Sequence, residues 1–222
     1  MGIDRSTIMT QEQSHKLVSL FYAHLLHVDE VCHNPEDQHN AMLNLCTDIL
    51  EKLKLYSVQE IIDIIKTNYE EFPISSSDIS QFSDLIACVH KTPYLIIASK
   101  LKDISYRQMG YLLLQSPKKE AAYIKYGENQ AKTAAQIGLC SVDRGKINIS
   151  YMGIVFTKLT EREQQELTPK LLLYIPIIQN YFAANRDTAL IQKYLNQLSV
   201  STQERRMRSI NTLIEHIEQS CK

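Results

Sequence analysis

The sequence predicts a mainly α-helical protein in three consecutive units: an acidic helical domain over 1–102, a basic unit of helices and a short hairpin over 103–159, and a helical C-terminal unit over 160–222. Glycine and proline number only six each in 222 residues and tryptophan is absent, while Leu, Ile and Tyr are plentiful. Few breakers and many helix formers favour helices with short connections. Charge marks the units. Residues 1–99 hold 6 Lys/Arg against 14 Asp/Glu, net −8; residues 100–158 hold 10 against 4, net +6; residues 159–222 hold 8 against 7, net +1, so the total of −1 conceals the division. Such asymmetry points to an anionic partner for the basic part, or is surface charge unevenly spread.

Whole function classes fall away at this level. No apolar run approaches a membrane span, and the start, MGIDRSTIMTQEQ, lacks the apolar core of a secretory signal, so a cytoplasmic protein without membrane contact is expected. Gly2 and Ser6 fit a myristoylation pattern whose loosely specified positions match often by chance. Cys32, Cys46, Cys88, Cys140 and Cys221 are odd in number and form no CxxC pair, which suits free thiols and implies no disulfide framework.

Apolar periodicity places a helix over Gln11–His27, broken by a polar link at His33–His39 that contains Asn34-Pro35. A second runs from about Gln38 to Leu55 with Met42, Leu45, Cys46, Ile49, Leu50 and Leu53 inward. Ser57-Val58-Gln59-Glu60 has capping-box spacing and opens a third over Ser57–Tyr69, which Phe72-Pro73 ends. A fourth is expected from about Asp78 to His90, and Lys91–Leu101 is apolar without a clear period. His24, His27, Cys32, His33, His39 and Cys46 crowd one helix-loop-helix, but their order fits no specific zinc pattern, so no metal is expected.

In the middle unit Asp103 or Ser105 caps a helix over Tyr106–Gln115, and Ser116-Pro117 starts the next. Lys118–Gly127 reads as a helix stopped by a left-handed glycine and Glu128–Gly138 as a second short helix. The latter turns Ala131, Ala134, Ala135 and Ile137 inward and presents Asn129, Gln130, Lys132, Thr133 and Gln136 outward. Asp143-Arg144-Gly145-Lys146 is a turn, and Lys146–Phe156 is a strand-like arm in which Ile147, Ile149 and Tyr151 alternate with Asn148 and Ser150. Helix, turn, helix and a two-stranded wing is the plan of a winged helix-turn-helix. Asn, Gln and Thr suit base edges in the major groove, whereas Lys118, Lys119, Lys132, Arg144 and Lys146 suit phosphates. The same polar face would also serve a merely solvated helix.

The final unit opens with Thr160-Glu161-Arg162-Glu163, again a capping box, and its helix meets Pro169. Lys170–Phe182 is apolar and interrupted by Pro176, and Arg186–Leu198 sets Leu190, Ile191, Tyr194 and Leu195 on one face. Ser201-Thr202-Gln203-Glu204 caps a last helix that carries Arg205, Arg206 and Arg208 ahead of an apolar stripe. This is a candidate second helix-turn-helix, or a packing helix with solvated arginines.

Ser105-Tyr106-Arg107-Gln108 through Tyr111, Lys125-Tyr126-Gly127-Glu128-Asn129-Gln130-Ala131-Lys132-Thr133-Ala134 through Leu139, and Met152-Gly153-Ile154-Val155-Phe156 resemble winged helix-turn-helix modules that accompany bacterial restriction systems. Ser201 through Arg208 resembles the end of such proteins, where a second helix-turn-helix follows. The resemblance covers about half the chain, Ser105 to Ile217, and leaves the first hundred residues unmatched. It implies binding of double-stranded DNA, by a regulator or the recognition subunit of a restriction-type defence system. One departure lies at Ser150-Tyr151-Met152-Gly153, where such wings carry Thr and Pro or Glu before the glycine, so this wing is open to packing instead of touching DNA.

A nuclease would need metal-binding carboxylates, typically Asp and then Glu-x-Lys on a strand, and no such triplet falls on a predicted strand. Phosphate-cradling glycine loops, Gly-x-Ser-x-Gly and His-Glu-x-x-His are also missing from the sequence. The expectation is therefore a non-enzymatic DNA-binding protein without cofactor, in which Gln130, Thr133 and Gln136 read bases, Lys118, Lys119, Lys132, Arg144, Lys146, Arg205, Arg206 and Arg208 hold phosphates, and Asn129 and Gln203 complete the DNA-binding set. The alternatives are a protein-interaction module whose winged helix docks a protein partner, and a restriction-type nuclease with an unrecognised site; a homodimer of the acidic helical domain would double the winged units and suit a palindromic target.

Overall fold

Three Ser/Thr-x-x-Glu/Gln motifs each start a helix. Ser57 Oγ accepts from the Glu60 N–H at 3.2 Å while Glu60 Oε2 accepts from the Ser57 N–H at 2.7 Å, and the same reciprocal pairs join Ser105 with Gln108 and Thr160 with Glu163. Each pair satisfies two N–H groups that a helix start otherwise leaves open. The computed structural model describes residues 35–68, 74–75, 78–79, 81–114 and 116–221. The helix read over Gln11–His27, the residues Gly2, Ser6, His24, His27, Cys32 and His33, and the Phe72-Pro73 stop lie outside these residues.

The chain is mainly helical with a small three-stranded antiparallel sheet. Helix α1, Pro35–Lys54, begins on its proline and so takes in most of the polar link expected over His33–His39. Helix α2 is Val58–Thr67. The helix expected from Asp78 starts later, because Asp78 folds back to accept from the Ser75 N–H at 2.8 Å. Helical backbone then runs from Leu85 through a π-helical turn, Ala87–Lys91, into α3, Thr92–Ala98. The buried Thr92 hydroxyl donates to the Ala87 carbonyl at 2.8 Å, giving that wide turn an internal partner.

Strand β1, Ile104–Ser105, leads into α4, Tyr106–Leu113, and a turn leads to α5, Glu120–Gln136. Strands β2, Cys140–Asp143, and β3, Lys146–Ile149, form the hairpin, and β1 pairs with the outer side of β3, so the sheet order is β1-β3-β2. Ile147 sits opposite both Val142 and Ile104. After the sheet come α6, Tyr151–Lys158, α7, Glu161–Leu172, α8, Pro176–Ala183, α9, Thr188–Leu195, and α10, Val200–Gln219.

Several sequence expectations change here. Gly127 does not stop a helix: α5 runs through it, and the left-handed residue that ends α5 is Gly138, at φ 77°. The two short helices read over 118–138 are one. The arm read as Lys146–Phe156 leaves the sheet after Ile149, where Ser150 Oγ accepts from the Gly153 N–H at 2.9 Å and starts α6. Met152 and Phe156 are buried helix residues. Pro169 lies inside α7, and α10 starts at Val200 behind Ser199, ahead of the cap expected at Ser201.

Burial joins the parts. One apolar cluster runs from Cys46, Leu50 and Ile61 through Ile96, Met109, Ile147 and Phe156 to Leu167, Phe182 and Ile217. That cluster draws residues from all three of the segments expected as units. Lys54 on α1 also meets Glu163 on α7 at 2.6 Å.

Candidate nucleic-acid interface

Helix α4 crosses α5 at backbone contact. A Cβ on Gly127 would fall inside the van der Waals shell of the Tyr106 carbonyl oxygen, and one on Gly110 inside that of the Tyr123 carbonyl oxygen. Only glycine allows this approach. The connection between the helices is held from α5, because the Tyr123 hydroxyl accepts from the Lys118 N–H at 3.0 Å and donates to the Ser116 carbonyl at 3.2 Å. Tyr123 also stacks on Tyr111 of α4, ring centroids 4.0 Å apart. With their turn fixed, Lys118 and Lys119 stand in solvent immediately before α5.

The inward stripe of α5 is Tyr123, Gly127, Gln130, Ala134 and Ile137, flanked by Ala131 and Thr133. Gln130 and Thr133, expected as base readers, are both 0% exposed. Gln130 Oε1 accepts from the Cys88 thiol, and the Thr133 hydroxyl donates to the Asn129 carbonyl at 3.1 Å. Burial pushes the Cys88 thiol well above its ordinary range, so it stays a neutral donor there. Neither side chain can meet a base in this arrangement. The spacing held the signal, since 130 lies three residues after Gly127 and seven after Tyr123, on the packed stripe.

Gln136 and Asn129 are half-buried. The Gln136 amide donates to the Asp78 carbonyl, which ties α5 to the segment ahead of the π-turn. The solvent side of α5 instead carries Ala121, Ala122, Ile124, Lys125 and Lys132. Glu128 lies between the two lysines, 2.9 Å from Lys125 and 2.7 Å from Lys132. On α4 the exposed Arg107, which sequence reasoning left out of the site, reaches Glu120 at 3.2 Å and lies 5.6 Å over the Tyr111 ring.

The hairpin adds a second basic point. Arg144 and Gly145 occupy its tip at φ 46° and 81°, and Arg144 is exposed. Lys146 is exposed too and meets Asp103 at 3.3 Å. Gly145 packs beside the Tyr106 ring, and that ring lies near enough to Lys132 to feel its charge. Tyr106 therefore connects the hairpin tip to the solvent side of α5.

On α10 the expected residues separate. Gln203 is turned to the helix start, donating to the Leu198 carbonyl at 2.8 Å and accepting from Gln192 at 3.0 Å. Arg205 folds back on its own helix, its Nε donating to the Ser201 carbonyl at 3.0 Å, while Arg208 is exposed. Arg206 is half-buried and borders a recess shared with Lys125, Glu128, Asn129 and Lys132 of α5. Of the residues weighed for a metal, His39 lies edge-on to the Tyr151 ring at 5.3 Å and Cys46 is buried.

No described helix is long and apolar enough to cross a membrane. Compared with protein-family models, with curated proteins and with solved structures, the chain matches none of them.

Proposed function

We propose that the protein binds double-stranded DNA through a winged helix-turn-helix made of α3, β1, α4, α5 and the β2–β3 hairpin, as a non-enzymatic regulator or the recognition subunit of a restriction-type system. The observation that carries this reading is the order helix, strand, helix, turn, helix, hairpin with the sheet arranged β1-β3-β2. It leaves α5 with one solvent side beside an exposed hairpin tip. Cations occupy that side: Lys118, Lys119, Lys125, Lys132, Arg144 and Lys146 are all exposed. Lysine and arginine so placed suit phosphates, and the amino-terminal half of α5, with Ala121 and Ala122 outward, is slim enough to enter a major groove.

Base reading passes in this proposal from Gln130 and Thr133 to the outward positions of α5 and to Asn129. Of the α10 arginines, Arg206 joins the same surface, since it borders the recess lined by Lys125 and Lys132. A protein-docking reading draws on the exposed Tyr111, Leu112 and Ile124, which give this region an apolar component. Electrophoretic shifts of genomic fragments at two salt concentrations discriminate. Duplex binding that weakens steeply with salt, and that Lys132→Ala with Arg144→Ala reduces at least tenfold, supports DNA binding. Absence of a shift at low salt overturns it, and a salt-insensitive protein complex favours docking.

A further inference from the structure

A cleft of about 480 Å³ lies where α1 meets the root of the hairpin. Met42 and Cys46 of α1 line one side of it, and Cys140 of β2, Ile149 of β3 and Tyr151 and Met152 of α6 line the other. These walls are mostly apolar. Burial pushes the Cys46 thiol up to about 11 and the Cys140 thiol up to about 12, so both stay neutral and behave as small hydrophobes. Met42, Ile149 and Tyr151 are only half-buried, and apolar surface left in that state gains by being covered. Cys140 and Ile149 are also cross-strand partners, at the end of the β2–β3 ladder away from Arg144-Gly145. Whatever fills the cleft therefore braces the hairpin from its root.

The chain carries a matching occupant. Leu17, Val18, Phe21 and Leu25 recur at helical spacing, and Glu12 and Lys16 are the only Asp, Glu, Lys or Arg residues from 11 to 27. A helix there would set the four apolar side chains on one side, a stripe that needs apolar surface to cover it. Reach favours the same chain as its source. Residues 28–34 span up to roughly 25 Å when extended. Met42 and Cys46 stand only about 10 and 17 Å along α1 from Pro35. The edge-on contact of His39 with Tyr151, at 5.3 Å, keeps the first turns of α1 beside the cleft. A segment tethered at that distance holds a high effective concentration over the cleft, which a free partner has to overcome.

We infer that residues 11–27 dock on this cleft of their own chain as an amphipathic helix, with Leu17, Phe21 and Leu25 toward Met42, Ile149 and Tyr151. The segment then acts as an internal brace that ties α1 to the root of the hairpin. This inference stands apart from the DNA-binding reading, since it concerns what covers the cleft and not what the hairpin tip touches.

The test uses the full chain with a photoreactive benzophenone side chain in place of Tyr151, and mass spectrometry of the cross-linked peptides. Cross-links to peptides from 11–27 at monomer mass are expected. Phe21→Asp should lower their yield about tenfold, because losing the burial of one large apolar side chain costs a factor of at least that order. Ser19→Asp adds the same charge on the other side of the helix and should leave the yield unchanged. A benzophenone in place of Met42 repeats the measurement from the α1 side, which keeps the test decisive where the first probe disturbs α6. Cross-links confined to 35–221 overturn the inference, as does an equal loss of yield in Phe21→Asp and Ser19→Asp. Cross-links to 11–27 found only at dimer mass, between isotopically light and heavy chains, also overturn it and assign the cleft to a second copy.

Discussion

Gly127 shows how one residue type can carry opposite instructions. A glycine in a run of helix formers reads as a stop, yet here it lies mid-helix because the α4 backbone occupies the space a Cβ would need. Glycine costs about 1 kcal/mol relative to alanine inside a helix, and packing offsets it. Gly127→Ala would recover that propensity but press a methyl against the Tyr106 carbonyl, backbone that cannot rotate aside. Overpacking of about 3 kcal/mol wins, for a net loss of about 2 kcal/mol. At this chain length that lowers the melting temperature by roughly 4–8 °C, measurable by circular dichroism. An unchanged or higher melting temperature would mean that the helices separate freely. Gln130 and Thr133 make the related point for polar groups, since their type suggested DNA while their position placed them beside Cys88 and Asn129.

Among the elements, the β2–β3 hairpin couples stability to the proposed function. Both central residues of its two-residue turn have positive φ, the geometry that matches strand twist and favours Asn-Gly. Arginine at the first position is strained by roughly 1 kcal/mol, and strain of that kind often marks a functional position. Arg144→Asn should therefore raise the denaturant midpoint slightly while weakening DNA binding several-fold. Denaturant titrations and anisotropy measurements on one preparation would reveal the trade. Equal affinity in the variant would remove Arg144 from the interface. Two helix starts were legible as capping boxes, at Ser57 and Thr160, because such a box is local; Ser105 stood level with Asp103 until its pairing with Gln108 decided it, and the cap expected at Ser201 gave way to a start behind Ser199.

At the scale of the molecule, the core ties α10 to the π-turn and α7, and His216 sits at that junction. Its Nε2 is buried without a hydrogen-bond partner among the described residues. Burial first, and then the charge of His90, lower its pKa below the ordinary 6.5. The unfolded chain therefore binds the proton first as pH falls, so stability is full above about 6.5 and declines as pH drops through the depressed folded value. Urea midpoints should fall between pH 7 and pH 5, and His216→Gln should flatten that fall. An equal slope in the variant would assign the loss to carboxylates. Charge division also acts at this scale: the basic middle is real in sequence, but its surface is completed by Arg206 from outside it.

By itself the sequence determined what depends on neighbours within about four residues: the helical class, the capping boxes at Ser57 and Thr160, the hairpin turn at Arg144-Gly145 and the basic bias of 100–158. Tertiary structure decided what depends on contacts across the chain. It ran α5 through Gly127, turned Gln130 and Thr133 inward, ended β3 at Ile149 and brought Arg206 to Lys132. Helix propensity and caps are local energies of about 1 kcal/mol each, readable from spacing. Which face is buried, and which cation lacks a partner, depends on what the fold packs against it.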